Sequence, residues 1–175
     1  MQGFATAYYP YVVRWQGLEG FSLWIDRPEP SREMLWADET RRVPIFPTAE
    51  LAAAAAERLG GQLLMQFNEP VDLDSMLLWL QSESVQPLAE CLAVWHLFDD
   101  LSAGVEEMFI GNQKNKSHNR VWDLLYGESG PLLDSGLDLP YRMDEIYWKA
   151  NDLATLRRIL TQGFSLWHRR TYWAM

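Results

Sequence analysis

Apolar side chains recur at every second position in several short segments of the first 67 residues, and at every third or fourth position from Asp72 onward. A period of two buries one face of a strand, whereas a period between three and four buries one stripe of a helix, so neither half can satisfy the other's geometry. Strands gathered early and helices gathered late predict an α+β fold rather than alternating βαβ units. The expected architecture is an N-terminal antiparallel sheet of about four to five strands with one helix, followed by a C-terminal helical part packed with it. With 175 residues the chain buries about two-thirds of its unfolded surface as a single core. Residues 1–175 therefore read as one domain, with 1–68 mainly sheet plus one helix and 69–175 mainly helical.

Local punctuation places the elements. Residues 11–16 and 21–26 alternate, with Phe21, Leu23 and Ile25 on one face and Ser22, Trp24 and Asp26 on the other; Gly17 and Gly20 bracket the turn of a hairpin. Met34–Ala37 and Arg42–Phe46 read as two further strands of a meander around Asp38-Glu39-Thr40, with Pro44 suited only to an edge. Thr48 offers an N-cap to Ala49–Leu59, whose five consecutive alanines favour helix, and Gly60-Gly61 ends it. Gln62–Phe67 alternates again. Asp72 or Asp74 caps a helix over Ser75–Gln81, and Pro87 suits a first turn before the stripe Leu88, Cys91, Leu92, Trp95, Phe98 and Leu101. After the polar loop Gly111–Ser117 comes a short helix around Val121–Tyr126, then an irregular stretch through Pro140. Asp152 caps a last helix to about Trp167, with Arg169 and Arg170 at its C-terminal end, where the helix dipole favours cations.

Charge is unevenly laid out. Between Arg58 and Lys114 there is no lysine or arginine, and nine carboxylates, from Glu69 to Glu107, give that segment the whole net charge of −9; the rest of the chain sums to zero. Such a field repels nucleic acid and anionic lipid and steers a cationic protein toward the acidic segment. No stretch approaches the apolar length that spans a bilayer, and the first residues lack the basic start and apolar run of a secretory signal. Cys91 is the single cysteine, so no intramolecular disulfide forms and a reducing compartment, the cytoplasm, is expected.

Signatures of catalysis are missing: there is no nucleophile elbow, phosphate loop or dinucleotide fingerprint, and Cys91 lies within an apolar stripe, where cysteine serves as a small buried hydrophobe. The closest approach to a site is His96 with Asp99 and Asp100, which share a helix face; a metal needs more ligands, and neither His118 nor His168 stands at zinc spacing. The ordinary explanation, a solvated helix face with a local histidine–carboxylate contact, is preferred. No catalytic residue, cofactor or metal is therefore expected. Of the nine tryptophans most belong to the core, but Trp24 alternates with the inward set and Trp36 sits in a short strand, so these two are expected to meet a second surface.

The hairpin-rich start, the acidic helix Trp95-His96-Leu97-Phe98-Asp99-Asp100-Leu101 and the closing Tyr147-Trp148-Lys149-Ala150-Asn151-Asp152 before Leu153–Trp167 resemble bacterial polymorphic-toxin immunity proteins of the contact-dependent growth inhibition type. The resemblance implies a non-enzymatic cytoplasmic inhibitor that binds a cognate toxin domain. The expected partner is basic and of the nuclease type, and the expected contacts are Asp99, Asp100, Glu106, Glu107, Trp24 and Trp36. Neither nucleic acid nor membrane is an expected partner. A secretion chaperone or adaptor, using an apolar groove to hold a client, is the alternative, and an enzyme assembled around His96 is a third.

Overall fold

The computed structural model describes residues 6–28, 31–66, 68–128 and 148–175. The fold is α+β. Strands β1 (Thr6–Trp15) and β2 (Leu18–Pro28) form a long antiparallel hairpin with Tyr9 opposite Trp24 and Trp15 opposite Leu18. Gln16 and Gly17 both have positive φ, 56° and 73°, which makes a two-residue turn matched to the right-handed twist of the strands. The expected bracketing by Gly17 and Gly20 is thereby corrected, since Gly20 lies inside β2. A Cβ at Gly20 would overlap Ile45 and Trp173, so this glycine lets a second layer of chain lie directly on the strand.

β3 (Ser31–Leu35) continues the meander against β2, but β4 (Val43–Ile45) does not. It pairs in parallel with β7 (Thr171–Trp173), a strand that the sequence pattern does not announce, and Phe46 alone bridges back to Phe21. β5 (Gly61–Leu63) and the two-residue β6 (Val71–Asp72) both join β1 in parallel. The main sheet runs β3-β2-β1-β5 with β6 also on β1, so it is mixed where an antiparallel sheet was expected. Two parallel segments enter because α1 (Ala49–Arg58) returns the chain to the start of β1, where β5 pairs with Thr6–Tyr8, and the loop after β5 carries it along β1 to its end, where β6 pairs with Val13 and Arg14.

Helix α1 has the expected cap, with Thr48 Oγ1 accepting from the Leu51 N–H at 3.3 Å, and Gly60 beyond it takes φ +78°. Its alanines Ala52, Ala55 and Ala56 press on Tyr8, Leu23, Ile25 and Phe46, covering one face of the sheet. The other face, carrying Val13, Trp15 and Leu35, is covered by the helical part. Asp72 caps α2 (Leu73–Gln81), accepting from the Ser75 N–H at 2.9 Å, so the helix begins two residues earlier than expected. α3 (Cys91–Val105) starts after Pro87 rather than at it, and its stripe Cys91, Trp95, Phe98 and Leu101 is buried as the period requires. A single 3₁₀ turn (Ile110–Asn112) precedes α4 (Lys116–Glu128), which is longer than the expected helix.

α5 (Ala150–Arg170) starts two residues before Asp152 and extends past Trp167. Asp152 is therefore within the first turn rather than at the cap; its carboxylate accepts from the Lys149 N–H and from Arg120 Nε, both at 3.0 Å. Phe98, Phe109 and Phe164 meet edge-to-face at the α3–α5 contact, with centroids 5.9 and 5.1 Å from Phe98. Cys91 is fully buried with its Sγ 3.8 Å from Met76 Sδ. The expected irregular stretch from Ser129 to Pro140, and Tyr147, lie outside the described residues. Among the described residues no helix is long and apolar enough to cross a membrane.

Candidate functional site

The carboxylates expected to form one docking surface occupy separate environments. Glu107 is claimed by the last turn of α5, accepting from Arg170 Nε at 2.6 Å and from Arg169. The bonds from Arg170 and then Arg169 hold its carboxyl below the usual range. Glu106 pairs with Arg41 at 3.2 Å across two exposed side chains, a contact worth at most about 1 kcal/mol. Asp72 pairs with Arg14 at 3.3 Å. The expectation of an unneutralised acidic segment is thus corrected: cations remote in sequence are brought back against it.

Asp99 and Asp100 part company although they are adjacent. Asp99 accepts from Asn112 Nδ2 at 2.7 Å and lines a shallow cleft with Trp95, His118 and Trp122. Asp100 instead faces the sheet, where Trp24 Nε1 donates to its Oδ2 at 3.0 Å. The second surface met by Trp24 is therefore α3 of the same chain. Trp36 lies elsewhere, packed with the α1 layer, in an open apolar groove of about 300 Å³ with Phe46, Leu51, Leu59 and Tyr172. Of the six expected contact residues, the structure brings together only Trp24 and Asp100.

That pair sits in a cleft of about 330 Å³. Tyr9, Tyr11 and Trp24 form its floor from β1 and β2, Glu33 closes one side from β3, and His96 and Asp100 descend from α3. Gln66 and Asn68, in the loop after β5, complete the wall. Tyr9 and Trp24 stand opposite each other in the hairpin register, so their rings meet edge-to-face at 5.5 Å. His96 shares the cleft with Asp100 through their four-residue spacing, while its ring also meets Trp122 at 5.2 Å. The expected grouping of His96 with both aspartates is accordingly split.

Among the described residues no lysine or arginine lines this cleft. Burial pushes the Asp100 carboxyl up to about 7, even though the Trp24 bond favours its charged form, and neighbouring Asp99 and Glu33 push the same way. Tyr11 is raised well above the ordinary phenol by burial first and then by Asp100 and Glu33. The Tyr11 hydroxyl makes no hydrogen bond to a described residue. The signals that could have found the site were the pairing of Tyr9 with Trp24 and the position of Asp100 between Leu97 and Leu101, two fully buried residues.

A stability signature follows. Folded Asp100 keeps its proton to about pH 7, whereas the unfolded side chain loses it near 3.8. The folded state thus holds more protons in that interval, so this residue's contribution falls as pH rises from about 4 to about 7 and stays low above. Asp100→Asn, which retains an acceptor for Trp24, is expected to match the parent near pH 4 and to exceed it by up to about 4 kcal/mol at pH 8, the displacement of about three units at about 1.4 kcal/mol each. Urea unfolding at both pH values measures this; a difference between the two proteins that is independent of pH would refute burial as the cause.

Among the described residues no group of three histidine, cysteine, aspartate or glutamate side chains is arranged to hold a metal ion. Neither a family model nor a curated protein sequence matches the chain. A solved structure, the SatS C-terminal domain in complex with bromine, is similar in fold, with a TM-score of 0.51. The match covers 95% of this chain and 94% of that one at 10% sequence identity. At that identity the likeness concerns the path of the chain, and side chains of the cleft are not carried between the two.

Proposed function

We propose that the protein is a non-enzymatic, protein-binding inhibitor of the immunity type, acting in the cytoplasm on a cognate toxin domain that presents a basic surface. The observation that carries this reading is the Asp100 cleft: a carboxylate flanked by aromatic rings and by Glu33, with no lysine or arginine among the described residues of the lining. Aromatic anchors beside a desolvated charge are the combination from which binding hot spots are built. The remaining acidity, a net −9 over the chain, supports fast encounter with a basic partner. Docking is centred on the cleft and not on Glu106 and Glu107, whose charges are already met by arginines.

Co-expression with the product of the neighbouring gene, followed by a toxicity assay and a mass measurement of the purified complex, tests the proposal. The expected result is abolished toxicity and a one-to-one complex with a folded domain, whose association slows at least tenfold between 50 and 500 mM salt, values chosen because screening shortens the field at about these strengths. Association indifferent to salt would count against it.

The second reading, a secretion chaperone or adaptor, is favoured by the groove beside Trp36, where Leu51 and Leu59 are 43% and 40% exposed around an apolar floor. It predicts capture of an unfolded client segment, lost on Leu51→Asp with Leu59→Asp and unaffected by Asp100→Asn.

A further inference from the structure

We infer that the cleft between α3 and the sheet is a seat for a single arginine side chain of the partner, its guanidinium held by Asp100 and Glu33 over the rings of Tyr9, Tyr11 and Trp24. This inference rests on the reading of a basic protein partner given above and names the residue by which that partner is recognised.

Charge comes first. Two carboxylates on different elements face one space, and among the described residues the charges that act on Asp100 are those of Asp99 and Glu33, both negative. A cation entering the cleft removes that repulsion, and it does so where water is partly excluded and the attraction is least screened.

Shape and hydrogen bonding then choose between the two cationic side chains. Trp24 Nε1 occupies Asp100 Oδ2, leaving Oδ1 to accept, and Glu33 makes no hydrogen bond or ion pair with a described residue. The Tyr11 hydroxyl, which makes no hydrogen bond to a described residue, adds a further acceptor. Acceptors spread over β1, β3 and α3 suit the planar fork of five guanidinium donors better than the compact, strongly hydrated ammonium of lysine. The aromatic side chains add ring faces against which a guanidinium stacks. At about 330 Å³ the cleft has room for one long side chain and not for a helix.

Docking is coupled to protons. The groups facing the guest are Tyr9 and Tyr11 from β1, Glu33 from β3, and His96 with Asp100 from α3; Gln66 and Asn68 from the loop are neutral. The guest requires the Asp100 carboxylate, so below about pH 7 binding releases a proton. Affinity is expected to fall about tenfold per pH unit below neutrality.

The test follows the Trp24 indole N–H resonance of the intact protein, assigned by its loss in Trp24→Phe, during titration with N-acetyl-arginine amide and, separately, N-acetyl-lysine amide at pH 8 and pH 6. A saturable shift with the arginine probe is expected, at least fivefold weaker with the lysine probe and about tenfold weaker at pH 6. It should be abolished in Asp100→Asn and weakened in Glu33→Gln, a change on an exposed strand position that leaves folding intact. No shift, an equal shift in Asp100→Asn, or a stronger lysine response overturns the assignment. The two ideas fail separately. A bound arginine probe with no neutralised toxin would sink the inhibitor reading alone, whereas a toxin complex indifferent to Asp100→Asn would sink the arginine seat alone.

Discussion

Replacing Gly104 with alanine should destabilise the protein by about 3 kcal/mol, although alanine is the better helix former by about 1 kcal/mol. Gly104 lies in α3 where the helix rests on β3, and a Cβ built there overlaps the backbone carbonyl of Leu35. A flexible side chain could move aside; a carbonyl in a strand of the central sheet cannot without shifting the strand or the helix. The same substitution at Gly60, where φ is +78° and no atom lies within 4 Å, is expected to cost only about 1 kcal/mol through its left-handed backbone. Chemical denaturation of the two variants checks the contrast. Equal losses would mean that α3 and β3 are not in close register.

Phe98→Ala should cost about 3–5 kcal/mol, the range for deleting a large aromatic from a closed core. The ring is fully buried and stands edge-to-face with both Phe109 and Phe164. It also fills the space that Gly163 leaves in α5, since a Cβ at Gly163 would overlap the Phe98 ring. The two positions are therefore coupled. Gly163→Ala in the parent should cost about 2 kcal/mol by overpacking, but much less in a Phe98→Leu background, where the smaller side chain yields the room. Additive losses across this cycle would show that the two side chains do not share one space.

What could be read in the sequence was local. The β1–β2 hairpin and α1 were legible because their signals, alternation around Gln16-Gly17 and a Thr48 cap before an alanine run, lie within a dozen residues of the structure they specify. The stripe of α3 was legible for the same reason. β7 was not, because three residues, Thr171, Tyr172 and Trp173, show no pattern of their own and are held by a partner strand at 43–45. Without β7, β4 looked like part of the meander. The candidate site divides along the same line: Trp24 and Asp100 were both singled out, but their contact spans 76 positions, and nothing local shows that Asp99 turns toward Asn112 while Asp100 turns toward the sheet. The cancellation of Glu107 by Arg169 and Arg170 likewise joins residues more than sixty apart, which charge counting along a window cannot register.

The pairing of residues 43–45 with 171–173 also bears on how a ribosome delivers this fold. β4 emerges well before its neighbour, which is complete only once Trp173 has been made, so until then Val43 and Ile45 lack the β7 strand and Gly20 has no Trp173 to cover it. The hairpin and α1 can assemble on the nascent chain, whereas the layer that crosses Gly20 must wait. Folding therefore includes a late zipping step that joins two strands far apart in the polypeptide. A truncation removing residues 171–175 should stall there, leaving a species with helices formed and one side of the sheet uncovered.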